Sequence, residues 1–229
     1  MDFKHNNTLM CVAPFATWMA LMMLLPASAS TYALRTAATA AVGAVCLFAA
    51  LRHSPAPHTA TPSNAHANAF VATVVGLAVC ALWVFPEYLA QYRVWCVLPI
   101  GTDSAAADAA PSPYAPAVCG WTLTIVRLVG SAFVIAPVEE VFFRHFLYKR
   151  LIRRDFWNVS LRHFDASAFC WMVLLFTLEH DRPLAAAMAG AAYGLLAIYR
   201  GLPAAIVAHV VTNFALGLHV IARGEWGFW

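Results

Sequence analysis

Seven side chains able to do chemistry fall in three short motifs, each within or beside an apolar stretch of this 229-residue chain. They are Glu139, Glu140 and Arg144 in EEVFFR, Phe176 and His180 in FTLEH, and His209 and Asn213 in HVVTN. A charged side chain near the middle of a bilayer costs roughly 2.5 to 3.5 kcal/mol on insertion scales. The adjacent glutamates within 125–148 therefore require partners or a function.

Helical spacing separates the two glutamates. Glu140 precedes Arg144 by four residues, the favourable direction for an ion pair on one helix face. Such a pair also has a purely structural interpretation, as an anchor at a helix end. Glu139 is rotated by about 100° and faces elsewhere in the bundle, so the structural interpretation leaves it unexplained.

The residue types together fit amide hydrolysis by an activated water. A carboxylate in apolar surroundings is a good general base, a histidine orients water or protonates the leaving amine, and an asparagine amide donates to an oxyanion. Neither a serine or cysteine nucleophile arrangement nor an HExxH motif is present. Each histidine alone has a structural alternative, a hydrogen bond between helices.

In this order, the three motifs resemble EExxxR, FxxxH and HxxxN of the CAAX protease and bacteriocin-processing (CPBP) family, also called the abortive-infection family of intramembrane endopeptidases. The resemblance covers about Trp121–Leu218. The chain length, a long segment before Trp121 and the aromatic end also resemble the CAAX-protease-related proteins of exosortase systems.

The resemblance implies a role for each residue and no cofactor. Glu139 would activate water with the help of His180, while His209 and Asn213 would form the oxyanion hole. The supporting residues would be Glu140, Arg144 and Phe176. The sequence departs from the family at His145, where glycine commonly follows the arginine, and at Glu179 and Asp181, which add charge beside His180.

The elements that position these residues are predicted to be membrane helices. The chain is 62% hydrophobic and 11% charged, with a mean hydropathy of +0.69, whereas a soluble domain carries about 25% charged residues. We expect an all-α polytopic bundle of about seven helices, six to eight, around a polar intramembrane cavity. The predicted helices are Leu9–Ala27, Tyr32–Leu51, Phe70–Leu89, Trp121–Tyr148 (interrupted by Pro137), Ala166–Leu178, Leu184–Tyr199 and Leu202–Ile221.

Two regions follow from the placement of the polar residues: an anchoring region, 1–118, and a catalytic core, 119–229. The anchoring region holds two Pro/Ala/Ser-rich loops, Ser54–Ala67 and Thr102–Pro116, and an amphipathic stretch, Tyr88–Ile100, that is a candidate eighth helix. The first helix has an alternative as a cleavable signal ending near Ala29.

Basic residues predict the orientation of the bundle. The densest cluster, in 149–162, is expected on the cytoplasmic side, and alternation then places the amino terminus there too. We expect a bacterial inner membrane location. Cys96 and Cys119 flank the outer segment and are a candidate disulfide in an oxidising compartment. If every helix stood straight, Glu139 and His180 would differ by roughly 15 Å in depth.

The expected partners are the membrane and a protein or peptide substrate, either lipidated or a C-terminal sorting tail, with an exosortase system as a further candidate and no nucleic acid. Three alternatives stay open at this point. One is a zinc protease with His180, His209 and Glu139 as ligands. The others are a non-catalytic membrane partner of a sorting system and a proton-coupled transporter.

Overall fold

A computed structural model describes residues 3–53, 65–91 and 111–229 of the chain. Within these ranges it contains seven helices and no strand, which confirms the predicted all-helical bundle. We number them α1 (Phe3–Leu24), α2 (Ala29–His53), α3 (Ala65–Gln91), α4 (Pro116–Ile152), α5 (Ala166–Leu178), α6 (Pro183–Arg200) and α7 (Leu202–Arg223). Two short 3-10 turns, Phe156–Asn158 and Trp226–Phe228, follow α4 and α7.

The lengths and apolar character of the helices fit a membrane protein. Among the described residues, α2, α3, α4 and α7 each contain a segment long and apolar enough to cross a bilayer. The apolar segments of α1 and α5, Thr8–Leu24 and Ala166–Leu178, are shorter. Many large apolar side chains face outward, including Phe70 and Leu178, as expected where lipid is the solvent.

The long helix α4 differs from its prediction. We expected Pro137 to interrupt it, but the helix continues to Ile152 and instead contains two π-helical segments, Ser131–Ile135 and Val141–Leu147, on either side of the proline. Because a π segment places an additional residue in a turn, the ladder of backbone hydrogen bonds adjusts around the missing proline N–H without breaking the helix. Such segments are frequent at functional sites.

Close approach of α3 and α7 joins the two halves of the chain. A Cβ placed on Gly76 would lie 2.5 Å from the Ala208 carbonyl oxygen, so only glycine allows this backbone contact. At the same point the Thr212 hydroxyl donates to the Gly76 carbonyl at 2.9 Å. The helix that carries HVVTN is therefore packed directly against the predicted anchoring region.

The first helix also packs against the helix that carries the glutamates. The Phe15 ring of α1 stacks on Phe142 with centroids 4.0 Å apart and meets Phe143 edge-on at 5.5 Å. After α1, the Arg35 guanidinium donates to the carbonyls of Leu25 and Pro26 at 2.6 and 2.7 Å. These bonds fix the turn from α1 to α2.

The boundaries of the loops differ in part from the predictions. Helix α3 begins at Ala65, so the end of the predicted linker Ser54–Ala67 is helical; residues 54–64 lie outside the described ranges. Helix α3 also extends to Gln91, and the rest of the candidate eighth helix Tyr88–Ile100 lies outside them as well. Cys96 also lies outside the described ranges, so its pairing with Cys119 stays a prediction.

Candidate active site

One cavity of about 200 Å³ brings together the four residues expected to be catalytic. Glu139 comes from α4, His180 from the turn after α5, and His209 and Asn213 from α7. The wall is completed mainly by aromatic and apolar side chains. They include Trp18, Tyr32, Trp83, Ile135, Phe176, Tyr193, Leu216, Phe228 and Trp229.

Glu140 is sealed away from this cavity. Its side chain is 0% exposed, and its Oε1 lies 3.1 Å from Arg144 Nη1, the ion pair expected from the spacing of four residues. The same oxygen accepts from Nδ1 of His209 at 2.9 Å. Glu140 thus joins α4 to α7, a contact that spacing along one helix does not predict.

Arg144 connects the same point of α4 to two further helices. Its Nη2 donates to the Gly190 carbonyl of α6 at 3.2 Å. The guanidinium carbon lies 4.5 Å from the ring centroid of Phe176 in α5, a cation–π distance. Since Arg144 is 1% exposed, its charge is balanced inside the bundle by Glu140 and these dipoles.

Glu139 faces the cavity, in the direction that helix phase indicates. Its Oε2 lies 3.7 Å from Nε2 of His209. That distance is too long for a direct hydrogen bond, so the carboxylate keeps acceptor capacity for a water or a substrate group. The two adjacent glutamates therefore meet opposite nitrogens of a single imidazole ring.

His209 is held on three sides. Because a carboxylate only accepts, Nδ1–H of His209 donates to Glu140, and Nε2 lies on the side of Glu139. The ring stacks on Tyr193 with centroids 4.7 Å apart. The Tyr193 hydroxyl in turn donates to Thr212 at 2.7 Å, which fixes the stacked ring.

His180 lies just beyond the end of α5. Its Nδ1 is 2.8 Å from the carbonyl oxygen of Phe176, so Nδ1–H donates and Nε2 carries the lone pair. Burial lowers the pKa of His180 to about 4, partly opposed by that backbone bond. The imidazole is therefore neutral near pH 7, and its Nε2 can accept a hydrogen bond that orients a water.

The structure brings Glu139 and His180 to one cavity, although straight helices would separate them by roughly 15 Å in depth. Helix α5 has only 13 residues, so its far end does not lie a full bilayer away from its start. Trp83 of α3 meets the His180 ring edge-on at 5.6 Å and Phe176 lies 4.5 Å from it. These rings hold the imidazole at the cavity wall.

Asn213 is oriented by the π segment of α4. Its Nδ2 donates to the Ser131 carbonyl at 3.1 Å. A side-chain amide has two N–H donors, so one remains for a ligand in the cavity. Asn213 and His209 occupy the same face of α7, four residues apart.

The three departures from the family pattern are not part of the cavity wall. His145 packs against Trp157, with ring centroids 5.8 Å apart. Burial raises the pKa of Glu179 to about 7, against the opposing effect of Arg144, so this carboxyl is partly neutral near pH 7. Neither residue, nor Asp181, is among those that line the cavity.

The zinc alternative would use His180, His209 and Glu139 as ligands. Among the described residues, no three His, Cys, Asp or Glu side chains come together as a group that could hold one metal ion. His180 uses Nδ1 on a backbone carbonyl, and His209 uses Nδ1 on Glu140, so these bonds leave Nε2 of both rings unused. The zinc alternative therefore stays a prediction.

Sequence reasoning missed one charged residue of the cavity, Arg127 of α4. It interrupts the apolar run IVRLVG and has no carboxylate three or four residues away on either side. An unpaired charge within a membrane helix is itself a signal of function, and it was available in the sequence.

Comparison with known proteins agrees with the motifs. Residues 121–215 match the family model described as type II CAAX prenyl endopeptidase Rce1-like. The matched segment contains all three motifs, so it confirms the resemblance and supports an intramembrane endopeptidase in general. No curated protein and no solved structure matches the chain.

Proposed function

We propose that this chain, whose residues 121–215 match the Rce1-like CAAX endopeptidase model, is a metal-independent glutamic endopeptidase of the membrane. Glu139 is the general base that activates water, and His180 orients that water. Asn213 and His209 stabilise the oxyanion.

One observation carries the proposal: the two adjacent glutamates have separate environments. Glu140 is fully buried in an ion pair with Arg144 and a hydrogen bond to His209. Glu139 instead lines a cavity shared with two histidines and an asparagine from other elements. A structural ion pair explains the first glutamate, whereas the second has the surroundings of a general base.

The reaction begins when Glu139 takes a proton from a water that also donates to Nε2 of His180. The water oxygen forms a bond to the carbonyl carbon of the substrate, and the carbonyl electron pair moves to oxygen. The second N–H of Asn213 donates to this oxyanion, an interaction worth about 3–4 kcal/mol in other hydrolases. When the C–N bond breaks, the proton held by Glu139 passes to the leaving amine.

His209 is the second donor to the oxyanion. Because Nδ1–H donates to Glu140, Nε2 donates to an oxyanion only when it also carries a proton. Glu140 lies 2.9 Å from Nδ1 of this ring and Glu139 lies 3.7 Å from its Nε2. Glu140 is thus a positioning residue that acts through His209.

The substrate proposed for this site is a membrane-associated polypeptide, either lipidated or the C-terminal tail of a sorted surface protein. An exosortase system is the partner that the second case implies. We place the protein in a bacterial inner membrane with its amino terminus in the cytoplasm. The apolar exterior of the helices supports the membrane location, and the basic cluster of 149–162 supports the orientation.

The test compares peptides released from cell membranes by the purified wild-type protein and by its Glu139→Gln variant, in water enriched in ¹⁸O. We expect peptides that only the wild type releases, each with one solvent oxygen in its new carboxyl group. Chelators such as 1,10-phenanthroline should change the release less than twofold, and the active protein should contain no stoichiometric zinc.

Two results contradict the proposal. Loss of release with chelator, restored by added zinc, identifies a metalloprotease. Identical peptides from folded wild-type and variant protein instead indicate a non-catalytic membrane partner.

A further inference from the structure

We infer that Arg127 is an anion-binding residue of the substrate pocket and that it binds a carboxylate of the substrate polypeptide, about three to five residues from the scissile bond. The inference rests on the proposed endopeptidase function and adds to it a feature of the substrate.

Arg127 lies in an aromatic enclosure at the cavity wall. Its guanidinium carbon is 4.3 Å from the ring centroid of Tyr32, 4.2 Å from that of Tyr114 and 5.7 Å from that of Trp229. Tyr32 and Tyr114 are 2% and 8% exposed, so the rings are fixed by the surrounding core. The enclosure, defined by these three rings, holds the cation in one place.

No carboxylate of the described residues forms an ion pair with Arg127. Its Nε is buried and lacks a hydrogen-bond acceptor. Nε of Arg35 and of Arg144 is likewise without an acceptor, but Arg144 is paired with Glu140 and Arg35 donates to two backbone carbonyls. Arg127 is thus a cation lining the cavity that forms no ion pair and no side-chain hydrogen bond with the described residues.

Aromatic rings stabilise the charge of a guanidinium through its flat face and leave the N–H groups at its edge free. These groups form a planar fork that matches the two oxygens of a carboxylate. In apolar surroundings such a charge-assisted pair is stronger than in water. The enclosure therefore has the geometry of a receptor for a carboxylate.

The π segment of α4 places Arg127 on the same face as Glu139. Arg127, Ser131, Ile135 and Glu139 follow each other at intervals of four residues, and all four line the cavity. In a regular α-helix, twelve residues would leave the ends of this series about 120° apart. With one residue accommodated by the π segment Ser131–Ile135, the difference falls to about 20°.

The separation of Arg127 and Glu139 along α4 determines how many substrate residues lie between the bound carboxylate and the scissile bond. Twelve residues of helix rise by about 18 Å, and an extended peptide covers about 3.3 Å per residue. The two side chains shorten the gap, which leaves about three to five substrate residues between the bond at Glu139 and the group at Arg127. In an unmodified polypeptide the only anionic groups are a terminal carboxylate and the side chains of Asp and Glu.

The experiment measures binding, so it does not depend on cleavage. Purified full-length protein in detergent is titrated by thermophoresis with an N-acetylated apolar hexapeptide, as its free acid, as its C-terminal amide and as an amide with glutamate at the last position. Partition into empty micelles is subtracted. Wild-type protein is compared with Arg127→Gln, Arg127→Lys and the charge-matched control Arg200→Gln, whose side chain lies outside the cavity wall.

We expect the free acid to bind the wild type at least about tenfold more tightly than the amide, the range of a charge-assisted hydrogen bond. Arg127→Gln should remove that preference, Arg127→Lys should keep part of it, and Arg200→Gln should leave it unchanged. Recovery of affinity by the glutamate peptide identifies a side-chain carboxylate as a second source of the same group.

Equal binding of acid, amide and glutamate peptide to the wild type overturns the inference, whether or not Arg127→Gln folds. The inference is also overturned if phosphatidylglycerol in mixed micelles displaces the acid, the amide and the glutamate peptide equally well. That result would assign Arg127 to lipid phosphate. If the acid is preferred but Glu139→Gln still cleaves, the carboxylate site stands and the proposed mechanism fails.

Discussion

At the scale of single residues, one imidazole separates the tasks of the two glutamates. Nδ1–H of His209 donates to Glu140, and Nε2 of the same ring faces Glu139. The buried glutamate holds the ring and balances Arg144, and the other keeps its lone pairs for the cavity. Two charges that look like one anomaly in the sequence are thus a structural anchor and a candidate base.

We predict that Glu140→Gln destabilises the protein by about 3–5 kcal/mol, because it leaves the buried Arg144 charge uncompensated. The effect should appear as a lower thermal midpoint in detergent. The matched control is Glu225→Gln, which removes a charge from the half-exposed pair with His219, where the carboxylate is 33% exposed. That change should cost at most about 1 kcal/mol. Equal midpoints for the two variants would contradict the assignment of Glu140 as an anchor.

Local spacing predicted the contact between Glu140 and Arg144, since both lie on one helix. It did not predict that Glu140 also binds His209, which is 69 residues away. Nor did it predict the backbone acceptors of His180 and Asn213. Such contacts depend on how the helices pack against each other. The periodicity of a single sequence shows which residues share a helix face but not which helices become neighbours.

At the scale of elements, the apolar runs predicted where helices exist. The bounds of α5, Ala166–Leu178, agree with the prediction because Asp165 caps its start and the polar residues after Leu178 end it. The interruption at Pro137 was wrong. A proline shows that one N–H is missing, but not that flanking π segments take up the change.

We predict that Gly76→Ala separates α3 from α7. The new Cβ would lie 2.5 Å from the Ala208 carbonyl oxygen and 2.9 Å from Val211 Cβ, so the helices must move apart, at a cost of about 1–3 kcal/mol. Thermal unfolding measures the loss. Proteolytic activity should fall with it, since the same contact fixes Thr212, the acceptor of the Tyr193 hydroxyl.

Gly43→Ala is the control within a helix. A Cβ at Gly43 meets nothing within 4 Å, so alanine should be neutral or stabilise α2 by about 0.5–1 kcal/mol. A Gly76→Ala protein as stable as Gly43→Ala would show that the contact between α3 and α7 is looser than described.

At the scale of the whole molecule, the bundle encloses a polar cavity with an apolar exterior. The basic cluster of 149–162 lies near the end of α4, and the aromatic enclosure of Arg127 lies toward its start. The cavity itself was expected from the polar residues, but its volume and aromatic wall were not. Part of that wall comes from Trp18 of α1, Tyr32 of α2 and Trp83 of α3, which the motifs do not include.

The positive-inside rule predicts that the basic cluster is cytoplasmic. In a protein without native cysteines, Ser160→Cys, an exposed position, should react with a membrane-impermeant maleimide only after permeabilisation. Ser112→Cys, just before α4, should react in intact cells. The reverse pattern would invert the orientation and place the amino terminus outside.

The account depends most directly on Glu139 as the base that activates water. The decisive measurement is the initial rate of peptide release from membranes by wild type, Glu139→Gln and Glu139→Asp, with the thermal midpoint of each. We predict that Glu139→Gln changes the free energy of unfolding by less than about 1 kcal/mol and lowers the rate of peptide release at least about 10³-fold. Glu139→Asp should retain part of the activity. Release at the wild-type rate by folded Glu139→Gln protein would contradict the central claim.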